Sequence, residues 1–234
     1  RFTLKKGAAA GNLLHDTLET VDFQSPEWKE CLRKPLIRFG KIEEEVEQEL
    51  IAWLNECVTA ELTKDLSLST LSINKTLREV EFYFPVQDTT RQELAGLLQS
   101  HRQTQPFPHL PDGAHLKGMM HGFIDLVFEW QGKYYIADYK STHLGNDFEH
   151  YDYVSLKQNI QDNFYDLQYL IYSLALHRFL AQRIVEYTPE THFGGVYYLY
   201  LRGMMGDNHT GVYFSDIEPH LLSRLDTLFG GSHE

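Results

Sequence analysis

The chain contains little cysteine and no long apolar run. Its 234 residues include two cysteines, Cys31 and Cys57, whose spacing fits no metal-binding motif, so we expect reduced thiols in a cytoplasmic protein. No unbroken apolar segment approaches membrane-spanning length and no secretory signal opens the chain, so no membrane partner is expected. The chain begins at Arg1 rather than at methionine, which predicts a piece of a longer polypeptide.

Positive charge is also scarce. The chain has 21 lysines and arginines against 33 aspartates and glutamates, which gives a formal net charge of -12 at pH 7. Affinity for nucleic acid comes largely from lysines and arginines that displace counterions from phosphates, and the sequence has no basic stripe. This balance argues against a chain that binds DNA strongly by itself.

Motifs for two other chemistries are missing as well. No Gly-x4-Gly-Lys-Ser/Thr phosphate loop occurs, so no nucleotide site is predicted in these residues. The 12 histidines form no His-Glu-x2-His helix of the kind that binds zinc. His115 and His121 are therefore interpreted as ordinary loop residues.

The chain does have enough apolar material for one sizeable core. Hydrophobic residues make up 42% of the sequence and aromatic residues 13%, which predicts a single domain with an appended helical part. We expect residues 1–78 to be helical, residues 79–215 to form the core, and residues 216–234 to carry a C-terminal helix.

The stretch Gly122–Ser141 predicts a β-hairpin. Two apolar, aromatic-rich runs flank Gln131-Gly132, and a glycine in the second central position suits a two-residue primed turn. The register that follows from this turn places Asp125 directly across from Asp138. Lys140, two residues farther on, shares their face.

Two aspartates opposite each other predict a bound cation. Like charges on a ladder destabilise the pair unless something positive lies between them. Oxygen ligands suit Mg²⁺ or Mn²⁺ better than Zn²⁺, and Lys140 beside the ion could orient or deprotonate a water. The alternative is a pair of solvated carboxylates. The metal site is favoured because Asp125 and Asp138 interrupt strands that otherwise look buried on both faces.

Periodicity outside the hairpin predicts further elements in the N-terminal half. Residues 13–21 predict a helix capped by Gly11-Asn12, with His15 at the edge of its apolar stripe. A lone helical histidine is more often structural or exposed than a ligand. Residues 79–86 predict a strand, on which Glu81 is a possible outer carboxylate but more simply an exposed residue.

The C-terminal half predicts a long helix at residues 160–182, with Gln168 and Tyr172 on one face beside the core leucines. An apolar strand is predicted at residues 194–201 and a helix at residues 218–229. Residues 142–158 have weak periodicity, which predicts either a flap over the metal site or a surface loop without function.

Asp125 followed by Asp138-Tyr139-Lys140 resembles the motif of the PD-(D/E)xK nuclease superfamily, and the surrounding residues resemble its RecB branch. Three further segments are similar to that family in the same order, at residues 7–19, 165–178 and 192–203. The resemblance implies a restriction-endonuclease-like α/β fold, a mixed central sheet flanked by helices, with an N-terminal helical part. Most of the superfamily has Glu at the position of Asp138, whose shorter arm matches the RecB branch.

The resemblance implies roles for the residues of the hairpin. Asp125, Asp138 and the backbone carbonyl of Tyr139 would hold the metal ion, and His15 would be close enough to ligate or support it. Asp125, Asp138 and Lys140 would be the catalytic residues, with Lys140 serving the attacking water. On the long helix, the resemblance makes Gln168 and Tyr172 the side chains that line the path of the DNA strand.

The resemblance also implies cofactors and partners. The ion would be Mg²⁺, with Mn²⁺ or Ca²⁺ able to occupy the site. An iron-sulfur cluster, which related nucleases hold with four cysteines, is not expected. The implied function is that of an exodeoxyribonuclease domain in an ATP-dependent helicase-nuclease that processes double-strand breaks for recombinational repair. A motor would deliver a single strand of DNA, and RecC-like and RecD-like subunits and the RecA recombinase would be partners. The alternative is a non-catalytic module that docks a recombinase or a partner subunit.

Overall fold

A five-stranded mixed sheet organises the protein. The computed structural model describes residues 1–2, 7–40, 42–103, 116–206 and 210–230. The helices are α1 (Ala8–Thr20), α2 (Trp28–Phe39), α3 (Glu44–Thr59), α4 (Arg91–Arg102), α5 (Tyr153–Asp162), α6 (Tyr165–Ala181), α7 (Pro189–His192) and α8 (Pro219–Leu228). The strands are β1 (Glu61–Thr63), β2 (Leu66–Ser67), β3 (Thr76–Thr89), β4 (Leu116–Trp130), β5 (Lys133–Lys140), β6 (Phe193–Tyr200) and β7 (Val212–Ser215).

The sheet has the strand order β3-β4-β5-β6-β7, and β1 and β2 form a separate small pair. Strands β5 and β6 run parallel, whereas the other neighbours in the sheet are antiparallel. Helices α5 to α7 lie between β5 and β6 in the chain and supply the long crossover that a parallel pair needs. One face of the sheet packs against α4, α5, α6 and α8, and the other against α1, α2 and α3. The predicted mixed sheet flanked by helices is confirmed.

The turn between β4 and β5 has the predicted form. Gln131-Gly132 has φ angles of 50° and 78°, which are the left-handed values of a primed hairpin turn. The predicted register holds from this turn as far as Leu126 opposite Ala137. Beyond that pair β4 continues beside β3, and β5 continues beside β6. The predicted ladder pair of Asp125 with Asp138 is not formed, because the two strands separate there.

The side chains of β3 and β4 change from one face of the sheet to the other at the same point. Strand β3 begins at Thr76, before its predicted start, and Glu79 has a φ of 49°, a left-handed value that is uncommon for residues with a side chain. On β4, Ile124 packs into the cluster with α6 whereas Leu126 packs into the cluster with α1. Side chains two residues apart normally share a face of a strand, so the reversal occurs around Asp125.

Helix boundaries differ from the prediction in two places. Helix α1 begins at Ala8, and Gly11 lies inside it instead of capping it. A Cβ atom at Gly11 would lie 3.0 Å from the Ser141 hydroxyl oxygen, so glycine there permits close packing. The long helix predicted at residues 160–182 is divided by Phe164, whose φ is 53°, and α5 occupies part of the segment predicted to be a flap or loop.

The remaining elements are a mixture of confirmed and unpredicted ones. The strand and helix expected at residues 194–201 and 218–229 are confirmed by β6 and α8, whereas β7 at the edge of the sheet was not predicted. His121 lies in β4 and not in a loop, and His115 lies outside the described residues. In the part of the chain that the structure describes, no helix is both long enough and apolar enough to span a bilayer.

Candidate active site

The candidate site lies where β4 and β5 separate. The Tyr139 backbone N–H donates a hydrogen bond of 2.7 Å to Asp125 Oδ2. The carboxylate thus pairs with an amide beyond the end of the β4–β5 ladder, whose last pair is Leu126 with Ala137. This bond holds the Asp125 side chain of β4 against β5, next to Asp138.

Lys140 forms an ion pair with Asp138. Its Nζ lies 2.5 Å from Asp138 Oδ1, and both side chains are mostly buried. Burial raises the pKa of Asp138 to about 6, and the charge of Asp125 contributes to this increase while that of Lys140 opposes it. Asp138 Oδ1 is a buried atom, and the ion pair with Lys140 is the contact that the structure gives it. A buried carboxylate of this kind would be stabilised by a nearby cation.

Three side chains from three elements meet beside Asp138. His15 of α1, Glu79 of β3 and Asp125 of β4 each offer a ligand atom within 4.8 Å of the other two, and His15 Nδ1 lies 3.5 Å from Asp125 Oδ1. Burial lowers the pKa of His15, but the hydrogen bond with Asp125 and its charge outweigh burial, so the net shift is upward. Burial and the charge of Asp125 raise the pKa of Glu79. The negative charge of Asp125 contributes to both shifts, after burial in the case of Glu79.

Glu79 was not predicted as a site residue. Glu81, a possible outer carboxylate from its place on the predicted strand, is exposed, accepts a 2.6 Å hydrogen bond from the Tyr83 hydroxyl and lies 3.1 Å from His121 Nε2. The simpler interpretation of Glu81 as an exposed strand residue is confirmed. The neighbouring pairs Arg78–Leu126 and Val80–Ile124 place Glu79 opposite Asp125, and this register is seen only in the structure.

A network of polar and aromatic side chains surrounds Lys140. Gln168 Oε1 accepts hydrogen bonds from Lys140 Nζ at 3.2 Å and from the Tyr198 hydroxyl at 2.7 Å, while Gln168 Nε2 donates to the Tyr172 hydroxyl at 2.9 Å. Lys140 Nζ also lies 4.1 Å from the centre of the Tyr165 ring and 4.8 Å from that of Tyr198, within the range of cation–π attraction. Gln168 therefore positions the lysine.

The neighbours of Lys140 were only partly predicted. Gln168 and Tyr172 lie at the site, and the pKa of Tyr172 is raised by burial and then by the charges of Asp138 and Asp125. Their contact with DNA stays a prediction. Tyr165 and Tyr198 were not predicted, because tyrosines within apolar helix and strand segments are typical of core positions.

The donor atoms fit a hard divalent cation. Carboxylate oxygens come from Glu79, Asp125 and Asp138, and one imidazole nitrogen comes from His15. A set dominated by oxygen suits Mg²⁺, Mn²⁺ or Ca²⁺. The compact group of three ligand atoms contains His15, Glu79 and Asp125, whereas Asp138 is turned toward Lys140. The metal contact of the Tyr139 carbonyl stays a prediction.

Comparison with known proteins assigns the sequence to a family. Residues 2–228 match the family described as the PD-(D/E)XK nuclease superfamily. The chain is 38% identical over 233 residues to the RecBCD enzyme subunit RecB of Escherichia coli (strain K12), which covers 97% of this chain and 19% of that protein. It is 34% identical over 236 residues to RecB of Haemophilus influenzae, again covering 97% of this chain and 19% of the relative.

More distant relatives have the same name. The chain is 29% identical over 232 residues to the RecBCD enzyme subunit RecB of Mycobacterium tuberculosis (strain ATCC 25618 / H37Rv), covering 87% of this chain and 21% of that protein. The chain thus spans about a fifth of the length of the curated relatives that it matches.

Proposed function

Because the chain belongs to the PD-(D/E)XK nuclease superfamily, we propose that it hydrolyses DNA phosphodiester bonds with a divalent metal ion. The observation that carries this proposal is the convergence of Asp125, Asp138 and Lys140 where β4 and β5 separate, with His15 and Glu79 beside them. Acidic ligands next to a lysine are the parts that metal-assisted phosphoryl chemistry requires.

We propose Mg²⁺ as the ion, with Mn²⁺ or Ca²⁺ able to take its place. Asp125, Asp138 and the Tyr139 carbonyl would hold it, and His15 and Glu79 would complete or support the ligand set. A bound divalent ion polarises the phosphate and stabilises the charge of the transition state. The side chains of the site concentrate negative potential that attracts the ion, and burial strengthens that attraction.

Lys140 has the second role in this proposal. Its ammonium group would orient the attacking water and neutralise charge that develops on a phosphoryl oxygen. Gln168 holds the ammonium group in place, and Tyr172, hydrogen-bonded to Gln168, would line the path of the DNA strand together with it. From the resemblance, we propose that the chain acts as an exodeoxyribonuclease.

The role of the whole protein is proposed from its relatives, which are named as the RecB subunit of the RecBCD enzyme. We propose that this chain is the nuclease part of an ATP-dependent helicase-nuclease that processes double-strand breaks for recombinational repair. RecC-like and RecD-like subunits would be its partners, and a motor outside these residues would deliver a single strand. The net charge of -12 agrees with a strand that is delivered instead of captured. A contact with the RecA recombinase and a cytoplasmic location are further predictions.

The experiment that tests the nuclease proposal is cleavage of single-stranded DNA in Mg²⁺ or Mn²⁺ by the wild-type chain and by Asp138→Ala. We expect the substitution to reduce the cleavage rate at least about 100-fold, because it removes a metal ligand and the partner of Lys140. Asp147→Ala, at an exposed aspartate, should cleave like the wild type. Circular dichroism would show that both variants fold.

The same experiment decides between the enzyme and the non-catalytic docking module. A docking module would give no metal-dependent cleavage with the wild-type chain. Cleavage by Asp138→Ala at the wild-type rate would contradict the assignment of the site to this position.

A further inference from the structure

The β3–β4 ribbon continues outward from the acidic cluster. Beyond Asp125, the register pairs Glu81 with Phe123, and Tyr83 with His121. Residues two apart on a strand are separated by about 7 Å. The backbone of Phe123 is therefore about 7 Å along the strand from that of Asp125.

The outer part of this ribbon has one covered face and one open face. Val80, Phe82 and Ile124 pack into the cluster with α6. Side chains at the alternate positions point to the other face, and they are exposed there. Tyr83 is 60% exposed and Phe123 45% exposed, and 44% of the His121 side chain is exposed.

The three exposed rings, Tyr83, His121 and Phe123, are here called the aromatic strip. The Tyr83 and His121 rings are stacked, with centroids 4.3 Å apart and an interplanar angle of 5°. His121 and Phe123 meet edge to face at 5.3 Å. Glu81 accepts a hydrogen bond from the Tyr83 hydroxyl and lies at hydrogen-bonding distance from His121. These contacts hold the rings in place before any ligand arrives.

The exposed rings lie near the proposed nuclease site, where nucleobases are the groups that would stack on them. Every nucleobase has a π face, and stacking on aromatic side chains binds single strands without regard to sequence. The chain has a net charge of -12, so contacts with phosphates are a weak source of affinity here. Base stacking needs no positive charge, and it would supply affinity that the electrostatics of this chain do not.

We propose that the aromatic strip binds single-stranded DNA by base stacking and holds the strand in line with the acidic cluster. The proposal rests on the nuclease function proposed above and adds the surface that the substrate follows. The observation that favours DNA over a protein partner is continuity. The strip lies on the same two strands as Glu79 and Asp125, and Phe123, its nearest ring, is two residues from Asp125 on β4.

The test compares steady-state cleavage of a single-stranded oligonucleotide by the wild-type chain, Phe123→Ala and Tyr83→Ala in Mn²⁺. Loss of one stacking ring should raise KM about tenfold and change kcat little. Phe123→Tyr keeps the ring and should keep the wild-type KM. Phe214→Ala is the matched control, because Phe214 is a partly exposed ring on β7, at the opposite edge of the sheet.

A second substrate makes the result independent of the folding of the variants. An oligonucleotide with abasic residues beside the cleaved bond should show the raised KM with the wild-type chain, and Phe123→Ala should add no further loss on it. If the wild-type chain does not cleave single-stranded DNA, the nuclease proposal itself fails. If it cleaves, but the ring variants and the abasic substrate leave KM unchanged, the strip is not a DNA surface, as expected if another protein segment covers it.

Discussion

The position of the Glu79 side chain at the site depends on its backbone conformation. Its φ of 49° accompanies the face reversal of the ribbon and leaves its carboxylate near His15 and Asp125. Glu81, on the same strand, lies in solvent. The two glutamates therefore have the same chemistry and different surroundings, which makes them a matched pair.

We expect Glu79→Gln to weaken binding of Mn²⁺ about tenfold or more, because it removes one negative oxygen donor from a cluster of three ligands. Isothermal titration calorimetry with Mn²⁺ would measure the change. Glu81→Gln should bind Mn²⁺ like the wild type. Equal affinities of all three proteins would show that Glu79 lies outside the metal site.

Single residues differed in how far the sequence could predict them. Turn chemistry at Gln131-Gly132 sets the register of the hairpin as far as Leu126 and Ala137, so it indicated that Asp125, Asp138 and Lys140 lie near one another, although the ladder pair of Asp125 with Asp138 is not formed. Glu79 was missed because strand alternation alone does not reveal a residue with positive φ.

Among the secondary-structure elements, α4 and α6 are joined by a buried ion pair. Arg102 donates to both carboxylate oxygens of Asp166, at 2.5 Å and 2.9 Å. The two side chains are 11% and 2% exposed. An isolated buried charge is costly, so each partner depends on the other. Arg38 and Asp16 form the contrasting pair at the surface, with side chains 79% and 33% exposed.

We expect Asp166→Ala to reduce the free energy of unfolding by about 3 kcal/mol, because Arg102 would remain buried without its partner. Asp16→Ala should cost no more than about 1 kcal/mol, since an exposed pair contributes little. Chemical denaturation of both variants measures the difference. Equal losses of unfolding free energy in the two variants would mean that the pair of Arg102 with Asp166 stabilises the fold no more than the exposed pair does.

The same helix pair has a pH-sensitive contact. His101 of α4 lies 2.6 Å from the Tyr169 hydroxyl of α6, and burial lowers the pKa of His101. A neutral imidazole can accept this hydrogen bond, whereas a protonated one cannot. Because the folded state disfavours the protonated form, stability is greatest above the unfolded pKa of about 6.5 and falls as the pH drops below it.

We therefore expect the wild-type chain to lose free energy of unfolding relative to His101→Gln as the pH falls from 7 to 5. The change in unfolding free energy over the whole titration of His101, compared between the two proteins, reports the pKa shift, at about 1.4 kcal/mol for each pKa unit. Thermal denaturation across this pH range would measure it. Parallel pH curves for the two proteins would contradict the burial of a neutral His101.

Elements with a strong local signal were predicted, and those defined by tertiary contacts were not. The hairpin has its turn residues, and β6 is a continuous apolar run. The break between α5 and α6 at Phe164 follows from a left-handed residue within an apolar periodic segment, and β7 has four residues, too few for a clear pattern. Their places are set by packing on the sheet.

At the scale of the whole molecule, charge opposes the proposed substrate. A chain with a net charge of -12 repels a DNA backbone except where a cation or stacking intervenes. This prediction comes from composition alone, since the count of charged residues is sufficient for it. It did not predict which surface would meet DNA, because that depends on how β3 and β4 lie beside the site.

We expect the chain alone to bind single-stranded DNA with a Kd of about 10 μM or weaker at moderate salt, with a shallow dependence on salt concentration. Filter binding over a range of salt concentrations would measure both quantities. Nanomolar affinity, or a steep loss of affinity with salt, would show that basic residues dominate binding.

The central claim is that the carboxylates at the separation of β4 and β5 share a divalent cation. Crystals of the chain soaked in Mn²⁺ test it most directly, through the anomalous signal of manganese. We expect an ion within about 2–2.5 Å of oxygens from both Asp125 and Asp138, with Glu79 or His15 as a further ligand. Aspartate side chains that point apart, with no manganese between them at millimolar concentration, would contradict the claim.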